Sequence, residues 1–96
     1  MKILCAWILA VSFTLTASAQ ELGKTFQKTC GFCHQSGVAG APKIGDRAAW
    51  EPRLKKGMKV LVESVVSGKG AMPPKGLCAN CGTEDYRALI NYMAAQ

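Results

Sequence analysis

The sequence has one histidine, His34, so any site built on two imidazoles from the same chain is excluded. Acidic residues are scarce too, 6 against 12 lysines and arginines, for a formal charge of +6. No segment alternates apolar and polar residues convincingly enough to read as a strand, and no βαβ pattern, internal repeat, low-complexity tract or linker appears. The excess of basic residues comes without a nucleic-acid recognition motif, which sets nucleic acid aside as a partner. The one long apolar run, Ile3 to Leu15, is interrupted by Ser12 and Thr14 and is not clearly long enough to span a bilayer.

That run has the form of an export leader. Lys2 supplies the positive start and Ala17-Ser18-Ala19 the small-residue cleavage site. The expectation is cleavage after Ala19 and a periplasmic location, with an uncleaved anchor as the competing reading. Residues 1–19 then leave, taking Cys5 and Lys2 with them, and the formal charge falls to +5. Residues 20–96 remain as one small domain. A chain that short rarely builds a sufficient core from side chains alone and needs a staple. An oxidising compartment permits its surplus cysteines to pair.

What the sequence does contain is concentrated in Cys30-Gly31-Phe32-Cys33-His34. Two thiols three positions apart, followed at once by histidine, form the attachment signature of a c-type haem. Each thiol can add to one vinyl group of the same porphyrin, and the neutral imidazole can bind the iron. A thioredoxin-like site would need the missing βαβ context. A zinc site would need a second pair closer than Cys78. One covalently bound haem c is therefore the expected cofactor, and it supplies the staple.

The chain around the motif reads as short helices separated by Gly/Pro loops. Leu22, Phe26, Cys30 and Cys33 recur at helical spacing and predict a first helix over 21–33, with Gly23 as a close-packing point. Residues 35–45 turn to Gly, Ala, Ser and Pro and read as loop. There the Pro42 carbonyl can accept from His34, or the proline can merely stiffen the chain. Asp46 is placed to cap a helix reaching about Lys56. Trp50, within it, either lines the haem pocket and donates its indole hydrogen to a propionate or is ordinary core. Residues 57–67 form an amphipathic helix whose stripe is Met58, Leu61, Val62, Val65 and Val66, ended by Gly68. Thr83 is read as the cap of a last helix carrying Tyr86, Leu89, Ile90 and Met93 on one face, with Tyr92 beside them to cross against Phe26.

Met72 lies in the non-helical run Gly70-Ala71-Met72-Pro73-Pro74-Lys75-Gly76, where two prolines stiffen the backbone. Bis-histidine ligation is excluded, and Met58 and Met93 sit on helix faces, so Met72 is the expected second axial ligand opposite His34. Cys78 and Cys81 lack a following histidine and read as a short disulfide contributing about 2 kcal/mol less strain. A redox-active dithiol or a metal site is the alternative.

Taken together, the Cys30–His34 motif and Met72 resemble the class I c-type cytochromes. Gly40 to Asp46, Trp50, Gly70 to Gly76 and the pair Cys78 and Cys81 are similar to the cytochrome c5 family in particular, over essentially all of residues 20–96. The resemblance implies an all-α fold of about four short helices wrapped around one covalent haem. It also implies axial ligands His34 and Met72, thioethers at Cys30 and Cys33, and a Cys78–Cys81 disulfide. The family's helix-crossing glycine, eight residues before the first haem cysteine, would fall at Leu22, whereas this chain has Gly23.

An iron held by protein on both faces offers no ready site for a substrate, so the expected function is single-electron shuttling between larger respiratory partners rather than catalysis. The basic charge predicts partners with acidic docking surfaces, or contact with an anionic membrane surface. Lys43, Lys69 and Lys75 are the lysines expected near the haem edge. A peroxidase or ligand sensor would need a labile sixth position, and thiol–disulfide exchange would need reactive thiols at Cys78 and Cys81.

Overall fold

The computed structural model describes residues 15–96. Most of the expected leader, including Cys5, lies outside them. Five α-helical segments follow one another: α1 Leu15–Lys28, α2 Gly31–His34, α3 Arg47–Leu54, α4 Met58–Ser67 and α5 Thr83–Ala95. Single 3-10 turns occupy Val38–Gly40 and Pro74–Leu77. Among the described residues there is no strand, only an isolated bridge between Lys69 and Met72. The all-α expectation holds. No helix among these residues is long and apolar enough to cross a membrane.

The first helix is not continuous to Cys33. It stops at Lys28, and the Thr29 hydroxyl donates back to the Thr25 carbonyl at 2.7 Å. The chain then tightens so far that a Cβ on Gly31 would stand 2.8 Å from the Phe26 carbonyl oxygen. Gly31 permits this close approach, and it starts the separate turn α2 that carries Cys33 and His34. A helical period visible across both segments concealed the break, because the side-chain spacing survives it.

Asp46 caps α3 as expected, its carboxylate accepting from the Ala49 amide at 3.2 Å. Helix α4 keeps Met58, Leu61, Val62 and Val65 against the core, but Val66 is exposed. Eight residues on, Val66 is rotated about 80° from Met58 and falls at the edge of the stripe. The cap of α5 is Gly82 rather than Thr83, which is already helical. The Asp85 carboxylate accepts from the Gly82 amide at 2.7 Å and satisfies a donor that the helix leaves free.

The core is Phe26, Trp50, Val62, Tyr86, Leu89, Ile90 and Met93, with Cys78 beside them. Burying each large apolar side chain contributes roughly 1.5–3 kcal/mol. Helix α1 crosses α5 where Phe26 meets Tyr92, ring centroids 5.8 Å apart and tilted by 52°. Gly23 marks the crossing, since a Cβ there would lie 3.3 Å from the Tyr92 hydroxyl. The glycine one position later than the family pattern is thus the one the helices use.

Candidate haem site

Helices α2, α3, α4 and α5, with the loops 37–42 and 69–77, enclose a cavity of about 380 Å³. That is within the usual range for a site that buries a small organic ligand, about 300–1,000 Å³. Cys30, Cys33, His34, Pro42, Trp50 and Met72 all line it, although the first and last lie 42 positions apart in the chain. Cys78 and Cys81 do not line it.

His34 is buried and enters from α2. Its Nδ1 lies 2.7 Å from the Pro42 carbonyl oxygen. A carbonyl can only accept, so Nδ1 carries the hydrogen and Nε2 of the neutral ring keeps its lone pair free to bind a metal. The His34 carbonyl accepts in turn from the Ile44 amide at 2.8 Å. Trp50 is buried with its ring near-parallel to the imidazole, 28° between planes and 5.8 Å between centroids. Its indole N–H donates to the Lys43 carbonyl at 2.9 Å. Trp50 thus both lines the cavity and belongs to the buried core, and its indole hydrogen is directed at backbone.

Cys30 and Cys33 are half-buried and unbridged. Burial pushes the Cys30 thiol up, partly offset by the Thr29 hydroxyl, which approaches its sulfur at 3.5 Å.

Met72 sits across from these groups in the chain. Its amide and carbonyl both pair with Lys69, at 2.9 and 3.0 Å. Gly68, at φ +82, allows the loop to close, because a Cβ there would come within 2.9 Å of the Met72 carbonyl oxygen and the Pro74 nitrogen. Gly76 leaves room for the Met72 methyl, which would stand 2.9 Å from a Cβ at that position. Lys75 and Leu77 hold left-handed backbone at φ 67 and 66. Directly after them, Cys78 and Cys81 are joined in a disulfide. The Tyr86 hydroxyl donates to the Cys78 carbonyl at 2.9 Å and ties this loop to α5. Burial pushes the Tyr86 phenol above its ordinary value, with the Asp85 carboxylate acting in the same direction.

Three cations, Arg53, Lys56 and Lys69, line the cavity, and no carboxylate does among the described residues. The otherwise mostly apolar wall suits a flat apolar body carrying two carboxylates, and two thiols, an imidazole and a thioether are the donors a c-type haem requires. The residues fit the group. Of the three lysines named from the sequence, Lys69 lines the cavity, while Lys43 and Lys75 are exposed on the two loops that border it. Arg53 and Lys56 were not legible, since their helical positions gave no sign of which face would meet the cavity. The same is true of the Tyr86–Cys78 bond.

Comparison with known proteins agrees with this chemistry. Residues 17–93 match the family model described as cytochrome C oxidase, cbb3-type, subunit III. Cytochrome c5 of Ectopseudomonas mendocina is 46% identical over 78 residues, covering 79% of this chain and 90% of that protein. Cytochrome c-555 of Chlorobaculum tepidum is 40% identical over 93 residues, covering 92% and 86%. A solved mono-heme ferrocytochrome c from Shewanella putrefaciens superposes with a TM-score of 0.70 at 51% identity, covering 76% of this chain and 90% of that one. The structure of an electron transfer complex of nitrite reductase with cytochrome c matches with the same score at 45% identity, covering 76% and 89%. The fold, the donor set and these relatives converge: the chain belongs to the class I c-type cytochromes, small electron-transfer proteins that carry one covalent haem c.

Proposed function

We propose that Cys30 and Cys33 form the two thioethers, that His34 and Met72 bind the iron from opposite faces, and that the protein shuttles single electrons between larger redox proteins. The observation that carries this reading is the convergence of two free thiols, one buried imidazole and one loop thioether on a single apolar cavity. The disulfide consumes the other two cysteines of residues 20–96, so only the first pair has thiols to offer. When bound, the haem supplies a one-electron couple between ferrous and ferric iron.

The chain's own residues do the rest. The Pro42 carbonyl holds His34 in the tautomer that presents Nε2 to the iron. The doubly paired Lys69–Met72 segment presents the thioether, a soft ligand that favours the ferrous ion and raises the reduction potential. The apolar wall excludes water, and Arg53, Lys56 and Lys69 balance acidic groups on the cofactor. The net positive charge steers the protein toward acidic docking surfaces, in keeping with the nitrite reductase complex of a relative. Export with cleavage after Ala19 would place the mature chain, residues 20–96, in the periplasm.

Met72→Ala tests the ligand set. The expected result is loss of the near-infrared thioether band of the ferric protein with the covalent haem retained. A native ferrous protein that binds carbon monoxide tightly would instead mark a labile sixth position and a peroxidase or sensor.

A further inference from the structure

The Pro42 carbonyl that orients His34 belongs to a loop with little side-chain bulk of its own, and the structure shows what holds that loop still. The next carbonyl, that of Lys43, receives two hydrogen bonds: from the Trp50 indole at 2.9 Å and from the Asp46 amide at 3.0 Å. Asp46 is the cap of α3, the helix that carries Trp50, and its carbonyl accepts from the Trp50 amide at 3.0 Å. Between Lys43 and Asp46, the Gly45 amide donates to the Met93 carbonyl of α5 at 2.9 Å. The turn 43–46 is thereby pinned to two helices, and the Pro42 and Lys43 carbonyls flank a single residue. With the Lys43 carbonyl held by Trp50 and Asp46, the Cα of Lys43 to which the Pro42 peptide plane is joined is held in place as well. The Trp50 ring also faces the imidazole directly.

We propose that Trp50 is a positioning residue for the iron-binding imidazole: through the Lys43 carbonyl it holds the Pro42 carbonyl on His34 Nδ1 and so tunes the reduction potential. The inference rests on His34 being the iron ligand. A strong Nδ1–H···O=C bond makes the imidazole more basic, and a more basic ligand stabilises ferric iron. Releasing that bond shifts the equilibrium toward the ferrous form. No propionate contact is needed for this effect, because the indole hydrogen is already committed.

The test is Trp50→Phe in the haem-loaded protein, which keeps an aromatic ring and removes the N–H. The expected result is an equilibrium shifted about threefold toward ferrous iron, roughly 30 mV upward at about 59 mV per tenfold for one electron. With it, the His34 Nδ1–H should exchange with solvent several-fold faster in proton NMR of the ferrous form. Val62→Ala is the control: it thins the buried core away from the cavity lining, so stability falls while potential and exchange hold. If Trp50→Phe fails to load haem, Gly45→Ala perturbs the same turn from its other side, at φ +80 and with Cβ 3.4 Å from the Gln96 carbonyl oxygen. It should move both readouts in the same direction. A loaded variant with reduced stability but unchanged potential and unchanged Nδ1–H exchange overturns the proposal and leaves the ligand assignment standing. Wild-type spectra lacking ring-shifted resonances from an iron-bound imidazole overturn both.

Discussion

The two sides of the cavity solve the same problem with different means. On the His34 side, hydrogen bonds converge on one short turn, His34 and Ile44, Gly45 and Met93, Trp50 and Lys43, and a single non-glycine residue, Ala39 at φ 54, holds left-handed backbone. On the Met72 side, the loop is closed by a covalent bridge and by backbone in sparsely populated conformations at Lys75 and Leu77. Left-handed non-glycine residues cost of order 1–3 kcal/mol each. The Met72 loop is therefore the side with less stability to spare, and the Cys78–Cys81 bridge and the Tyr86 hydroxyl offset that deficit. Partial unfolding should release Met72 before His34.

The largest effect is expected from removing what both sides hold. With Cys30 and Cys33 both changed to alanine, no covalent haem is retained and the chain has no cooperative unfolding transition in calorimetry. A sharp transition in that variant would show that the side-chain core suffices on its own. Gly68→Ala comes next. It strains a φ of +82 and drives a Cβ into the Met72 carbonyl, so stability should fall by about 1–3 kcal/mol. Denaturant titration should show the thioether band lost ahead of global unfolding, and coincident loss would erase the contrast between the sides.

Changing Cys78 and Cys81 together to serine should destabilise by about 2 kcal/mol or less. The loss should fall on the Met72 side, with electron-transfer rates unchanged; a lost reductase activity would instead revive thiol–disulfide exchange. Tyr86→Phe is the smallest, about 0.5–1.5 kcal/mol for its hydrogen bond to Cys78. Burial raises the Tyr86 phenol above 10.0 in the folded protein, so its contribution is fully present below that pH and is lost as pH climbs through the raised value. The wild type should accordingly weaken in alkali above about pH 10, and Tyr86→Phe should blunt that decline. Equal alkaline sensitivity in both proteins would assign it to another group.

Much of this site could be read from residue order. Cys30, Cys33 and His34 lie within five residues of chain and line one cavity, so their spacing alone brought them together. The stripe of Tyr86, Leu89, Ile90 and Met93 follows from helical period, and so does the meeting of Phe26 with Tyr92. Met72, singled out by the count of histidines and the faces of the other methionines, lies on the cavity wall.

Other features depend on distances between elements, and spacing along a chain does not contain those. The break between α1 and α2 is set by how closely Gly31 approaches the Phe26 carbonyl, and the helical period runs through it unchanged. The indole hydrogen of Trp50 goes to Lys43 because the turn 43–46 folds that carbonyl under α3. Arg53 and Lys56 line the cavity because helix rotation, set by packing, chooses which charges face inward. Identity and order suffice where the reacting groups are neighbours in the chain; orientation and partner choice belong to the packed molecule, because they are set by contacts between distant segments.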